Sequence, residues 1–416
     1  MTTAAHLPRR VVITGMSVAC ALGFEVEEYW RNLLAGQCGI RRFPTIPDDS
    51  PLPTKYAGWI DDELLATGML RYQIDDPDRP NQLGLYAAGR ALEDAGWPTD
   101  GATPLEMDII AGTGHGNTTF HNETIRAYTQ GGYRKIRPTA VVRIMLNRAA
   151  NIVSIRYKLT GVGFTVSCAC ATGSIAIGTA FNHVRFGLAE RALAVSSDSA
   201  LDLASFATWN RLGVFTKHAD PATASRPFDK DRDGLVMGEG AAAFVLETLE
   251  SAQARGARIL AEIIGYGTSS DAAHIVVPEV AGQVKAIRAA LRNAGITPEQ
   301  IDYVNAHGTS TPPADKVEAA SLIEAMGAAG RTVPVSNTKA QLGHLMGATA
   351  GVELVTTILA MQKGVIPPCR NLDNPDPECP LNFVRNEPLK KDVKIALKNS
   401  FAFGGTNSVV VLRRFD

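Results

Sequence analysis

Three residues of this 416-residue sequence could do covalent chemistry together: Cys170, His307 and His344. Cys170 lies in the run VSCACATGS (166–174), where an apolar strand pattern leads into a turn of small residues and then into an Ala-, Gly- and Ile-rich helix pattern. A residue at such a junction sits at a helix N-terminus, where free N–H groups and the helix dipole favour a thiolate. Its small neighbours leave room for a substrate. The plainer fate of a lone cysteine, packing as a small hydrophobe, suits Cys168 two residues earlier. His307 stands in NAHGTST (305–311) just after a strand pattern, and His344 in GHLMG (343–347) just before an Ala/Gly-rich helix pattern. Either alone reads as well as a satisfied structural histidine. Two of them at matching topological positions, with a cysteine at the matching position of the other half, make a set. A neutral imidazole can donate a hydrogen bond to developing negative charge, so the set offers a soft nucleophile and two donors.

The elements that must position these residues alternate between strand and helix. RVVITG (10–15) reads as a buried strand, 26–35 and 83–95 as helices, 108–114 as a strand, 139–158 as helical and 191–200 as a strand. The stretch 41–82, rich in Pro and Asp, reads as a surface excursion. The order then replays: strands at 259–267, 301–309 and 333–339, helices at 280–294, around 315–326 and after GHLMG, and two closing strands. Such alternation argues for α/β sheets covered by helices. A loose match of TVSCACATGSIAIG with VSNTKAQLGHLMGATAG suggests an internal duplication.

Composition excludes several classes. With 45% hydrophobic and 20% charged residues the chain has ample material for a core, and a net charge of −1 gives no whole-chain attraction to nucleic acid or membrane. Six cysteines without a C-x-x-C pair argue against a disulfide scaffold or a zinc site. MTTAAHLPRR lacks the apolar core of a signal peptide, and no run approaches a bilayer-spanning length, so a cytoplasmic protein is expected.

Taken together, Cys170 in its CATG context, HGTST (307–311), KAQLGH (339–344), SRPFDKDRDG (225–234), GEG (238–240) and FAFGGTN (401–407) resemble the β-ketoacyl-acyl-carrier-protein synthases of the elongating type, over nearly the whole chain. The resemblance implies a thiolase-like α/β fold: two duplicated halves, 1–255 with the nucleophile and 256–416 with both histidines, in a five-layered αβαβα arrangement. It implies a dimer, homodimer or heterodimer with a ketosynthase-like partner, paired through the strand GFTVSC (163–168). It implies that Cys170 takes an acyl group from a carrier thioester, and that a malonyl carrier then loses carbon dioxide and attacks it. His307 and His344 would face the enolate, and the backbone N–H groups of Cys170 and Phe403 would form an oxyanion hole, with the Phe403 ring as a gate. Lys339 would organise the histidines. Thr309 and Thr311 would bind the phosphopantetheine arm, although both also suit turn capping. Asn305, Asp315, Glu318, Glu353 and Asn407 would form a supporting network, with room for a monovalent cation beside Asn305 and Asn407. No cofactor of its own and no other metal are expected, since substrates arrive on acyl carrier protein. Arg134 and Lys135 fit a carrier-docking position.

Three departures from the pattern stand out. The segment QIDDPDRP (73–80) is acidic where relatives present lysines, which puts the usual docking footprint in doubt. His115 in GTGHG (112–116) replaces an apolar residue at the acyl pocket, and Val277 stands where some relatives carry a hydroxyl. Competing readings are a thiolase, rejected because the C-terminal motif lacks a second reactive cysteine, and a non-catalytic partner subunit, disfavoured because Cys170 is present. A synthase of a type II polyketide or polyene pathway, working with a chain-length-factor-like partner, stays open because of His115 and the acidic segment.

Overall fold

The structure is a computed structural model that describes residues 8–416. The opening residues 1–7, which carry most of the segment lacking an apolar leader core, lie outside the described residues.

Eleven strands form one continuous sheet surface. Five belong to the first part of the chain, in the order Gly163–Val166, Asp108–Gly112, Arg191–Asp198, Gly240–Thr248, Val11–Cys20. Numbered along the chain, that order is 3-2-4-5-1. The later strands Pro334–Ser336, Tyr303–Asn305, Ile395–Phe401, Thr406–Arg413 and Ala261–Ser270 repeat 3-2-4-5-1, with Asn382–Phe383 added at the outer edge. Directions repeat too: strand 2 runs parallel to 3 and 4, and strand 5 antiparallel to 4 and 1, in both sets. The two sets meet where Val11–Ile13 pairs antiparallel with Ala261–Ile263.

Alternation along the strands builds the layers, because successive side chains point to opposite faces. Ala242, Phe244 and Leu246 join the central core, while Ala241, Ala243 and Val245 join the outer core of the first half. Val410 and Leu412 likewise face the central core, and Val409 and Val411 the outer core of the second half. Helices Thr172–Arg185 and Thr349–Lys363 lie in the middle and touch strands of both sets. Arg79–Asp94 covers the outer face of the first set, and Val280–Ala294, with Pro312–Met326 packed on it, that of the second. The result is the expected five-layered αβαβα fold.

Two expectations need correction. The stretch 41–82 contains a hairpin, Ile40–Arg42 with Tyr56–Gly58, and a helix, Asp62–Arg71. Within it the acidic segment is not a free negative surface: Asp76 and Asp78 are buried and ion-paired with Arg148 and Arg143. Those two carboxylates are neutralised within the chain, while Asp75 of the same segment is exposed. The strand Gly163–Val166 is a sheet edge, paired only with Asp108–Gly112 and partly exposed.

Candidate functional site

Strand Gly163–Val166 runs into a 3₁₀ turn, Ala169–Ala171, and then into helix Thr172–Arg185. Ala169 has φ +47°, a left-handed conformation that non-glycine residues adopt at a cost of about 1–3 kcal/mol and that clusters at functional sites. This elbow holds Cys170 at the floor of a cleft lined also by His307, His344, Thr309, Thr311, Phe403 and Asn407. One ring nitrogen of each histidine and the Cys170 sulfur all lie within 4.8 Å of one another. A zinc ion would also accept three such donors; the function proposed below uses them for covalent chemistry.

The helix terminus that favours a thiolate works against burial. Burial pushes the Cys170 thiol up to about 11, although Lys339 and the backbone N–H groups of Phe403 and Cys170 itself pull it down. Desolvation of the charged form outweighs the helix terminus. The two amides that lower it are those expected to form the oxyanion hole.

Burial, reinforced by Lys339 and Lys398, holds His307 and His344 well below the usual histidine range, so both imidazoles are neutral. The rings stand edge to face, with centroids 5.5 Å apart. His344 Nδ1 shares a hydrogen bond with Thr349 Oγ1 (2.8 Å), while its buried Nε2 has no partner. That open nitrogen is available to a substrate atom.

Carboxylates fasten the loop that carries His307. Glu318 accepts the N–H groups of His307 and Gly308 (2.7 Å each), and Asp315 those of Thr309 (2.9 Å) and Phe228 (2.7 Å). Burial raises both carboxyls, Asp315 to about 6. Thr309 and Thr311 join hydroxyl to hydroxyl (2.8 Å) at the cleft wall. Thr311 precedes helix Pro312–Met326 without a side-chain capping bond, so the capping role considered for it is not the one it fills.

Lys339 is buried at the start of a short helix, Lys339–Leu342; its ammonium donates to the His307 carbonyl and pairs with Glu353 Oε1 (2.8 Å). Glu353 Oε2 is 2.9 Å from a second buried lysine, Lys398, which the sequence reading missed. Its signal was a charged residue in a fully buried strand, alternating with Leu397 and followed by the polar Asn399 and Ser400. The expected network divides here. Asn305 sits with this group, as the register partner of Lys398, whereas Asn407 lies apart and ties Asp271 (2.6 Å) to the Gly405 carbonyl (3.2 Å). A monovalent metal ion does not fit the group, because a fixed ammonium already lies against Glu353.

His115 finds a partner within its own chain: Nδ1 is 3.2 Å from Asp198 Oδ2. Burial opposes charge on it, but Asp198, helped by Asp202, outweighs burial and raises the imidazole above its ordinary value. Trp209, also unforeseen, lies tilted against His115 (ring centroids 5.9 Å apart) and stacks on the Phe403 ring (5.9 Å), linking the pocket at His115 to the expected gate. Val276, not Val277, lines the cleft. Arg134 and Lys135 are exposed on the 3₁₀ turn Tyr133–Lys135.

The two sheet sets and the Cys-His-His cleft between them define a condensing enzyme of the thiolase-like class. The chain belongs to the β-ketoacyl synthase family: its N-terminal domain model matches residues 8–252 and its C-terminal domain model residues 260–373. The chain is 39% identical over 414 residues to the 3-oxoacyl-[acyl-carrier-protein] synthase 2 of Coxiella burnetii, covering 98% of this chain and 99% of that protein. Among solved structures it resembles the ishigamide ketosynthase/chain length factor (TM-score 0.90, 35% identity, 98% of this chain and 100% of that one). It also resembles a type II polyketide ketosynthase bound to its acyl carrier protein and a hexaketide (TM-score 0.91, 28% identity, 98% and 100%). Among the described residues no helix is long and apolar enough to cross a membrane.

Proposed function

We propose that this protein is a 3-oxoacyl-acyl-carrier-protein synthase that joins a Cys170-bound acyl group to malonyl-acyl carrier protein with loss of carbon dioxide. The observation that carries this reading is the meeting of Cys170 with two neutral histidines at one cleft floor. In the first step the Cys170 sulfur attacks the carrier thioester; the S–H proton leaves with the carrier thiol, so the step balances without a resident base. The oxyanion of that attack is met by the N–H groups of Cys170 and Phe403, which already point at the sulfur. In the second step malonyl thioester loses carbon dioxide. His344 Nε2–H and His307 hydrogen-bond the enolate oxygen, a role suited to neutral donors in a dry site. The enolate carbon then attacks the acyl-cysteine carbonyl and expels the Cys170 thiolate, which is reprotonated.

Thr309 and Thr311 bind the phosphopantetheine arm, and Arg134 and Lys135 help dock the acidic carrier. The division falls into halves 1–255 and 256–416, the first bringing the nucleophile and the second the histidines. The enzyme works in the cytoplasm, as a dimer through the edge strand Gly163–Val166, whose unpaired backbone groups invite a second copy or a ketosynthase-like partner. It needs no cofactor beyond the carrier's arm.

A second reading, a ketosynthase of a type II polyketide or polyene pathway, is favoured by His115. A polar imidazole held by Asp198 beside the acyl pocket suits short, unsaturated or partly polar chains better than long saturated ones. Incubation with acyl and malonyl carriers, followed by mass measurement of the carrier, tests the reaction itself. The expected product is a 3-oxoacyl carrier longer by one acetate unit. A carrier mass that never gains this unit overturns the proposal.

A further inference from the structure

Two buried ammonium groups share one buried carboxylate behind the histidines: Glu353 Oε1 holds Lys339 (2.8 Å) and Glu353 Oε2 holds Lys398 (2.9 Å). All three side chains are 1% exposed, so no solvent screens them. Burying a charge is expensive unless it is paired, and a lysine in a sheet interior with no task would be a liability. Lys398 is anchored further, donating to the Asn399 carbonyl and approaching Ser400 Oγ at 3.4 Å. Asn305, the register partner of Lys398 and so on the same face of the sheet, is buried with its Oδ1 free of any hydrogen bond.

From this group two routes lead to His307. On the carbonyl side, Lys398 orients Glu353, Glu353 orients Lys339, and Lys339 donates to the His307 carbonyl. On the amide side, Asn399 Nδ2 donates to Glu318 Oε1 (3.0 Å), and the same oxygen accepts the His307 N–H. Both the N–H and the C=O of His307 are therefore tied to the strand segment 398–399.

We infer that Lys398 is a built-in cation and positioning residue, its ammonium standing where a monovalent metal ion would otherwise hold Glu353 and, through Glu353 and Lys339, setting His307 for decarboxylation. The inference rests on the condensing reaction proposed above. It makes this chain's reaction independent of potassium and sodium, and it makes loss of Lys398 a defect that a small cation repairs.

The test measures carbon dioxide release from malonyl carrier, and acyl loading of Cys170 by intact mass. Buffers contain tetramethylammonium as the sole cation, with potassium or sodium chloride substituted at constant ionic strength. The native enzyme should release carbon dioxide at the same rate in all three. Lys398→Ser should lose kcat by about tenfold or more, the scale felt when an outer partner of a metal site is removed. Its KM for malonyl carrier and its acyl loading should stay close to native, and potassium or sodium should restore kcat. Activation of the native enzyme by either ion overturns the inference without any variant, so a poorly folding Lys398→Ser leaves the native comparison decisive. A Lys398→Ser that matches the native rate in tetramethylammonium also overturns it. A native enzyme that neither loads Cys170 nor releases carbon dioxide points instead to failure of the condensing reading.

Discussion

The two halves build the same elbow twice, and only one of them carries a nucleophile. In the first half Ala169 has φ +47°, Ala169–Ala171 forms a 3₁₀ turn, and Thr172 opens the helix; in the second Met346 has φ +48°, Met346–Ala348 forms the turn, and Thr349 opens the helix. Cys170 in one is Gly347 in the other. The Gly347 N–H donates to Asp198 (2.9 Å), and a β-carbon there would lie 2.5 Å from the Gly114 nitrogen. The second elbow therefore has no room for a side chain, and its role is to hold Asp198, which in turn holds His115. A strained turn at a helix start is thus not what makes a nucleophile. The cleft in front of the turn is, with its two neutral histidines and two inward amides.

Cys170→Ala gives the largest effect on this comparison. Condensation should fall by about three orders of magnitude or more, as for nucleophiles of covalent enzymes generally, in a carrier-product mass assay. An acyl adduct that persists in the variant, or one found on Cys168, breaks the assignment. Next, His307→Ala or His344→Ala should cut carbon dioxide release by about a hundredfold or more, the scale of a lost oxyanion donor, with a smaller loss in acyl loading. Undiminished release in both variants contradicts their role.

Burial against helix terminus is decided by pH. Cys170 alkylation should keep rising with pH through neutrality and level off only near about 11, since the thiolate is the reactive form. A plateau reached near neutrality would show that the turn, not burial, controls the thiol. Gly347→Ala should destabilise the fold by about 1–3 kcal/mol through overpacking, read in denaturant unfolding. Unchanged stability would mean the second elbow has slack.

The smallest effect concerns His115. Its pairing with Asp198 raises the folded-state value, so the stabilisation is full below the ordinary histidine value and fades as pH rises through the folded one. Asp198→Asn should lower the His115 midpoint in NMR titration, and His115→Ile should improve acyl loading with long saturated chains. No gain with such chains would remove His115 from the pocket's selectivity.

Much of this was legible in the sequence because it sits in motifs with local physical causes. Cys170 lies between a strand and a small-residue helix, His307 lies between Ala306 and Gly308, and His344 follows Gly343. The duplication was visible only loosely, since strand order is a long-range property; the shared 3-2-4-5-1 order is far clearer than the matched residues. Strand Gly240–Thr248 went unread because its run of alanines suits helix as well as strand. The match of Cys170 with the histidines' positions was off by three residues, because Gly347 and not His344 occupies the equivalent site. Asp76 and Asp78 read as a surface charge run because their arginine partners lie more than sixty positions away. Lys398, Asp198 and Trp209 gain their meaning only from neighbours brought in by folding.

The central claim is that the two histidines serve the second step more than the first, while Cys170 alone carries the acyl group. One paired measurement on native protein and His344→Ala tests it: acyl loading of Cys170 by intact mass, and carbon dioxide release from malonyl carrier on the same sample. The account predicts a single adduct on Cys170 in both proteins, with release lost in the variant. Equal losses of loading and release, or release that survives without His344, would contradict it.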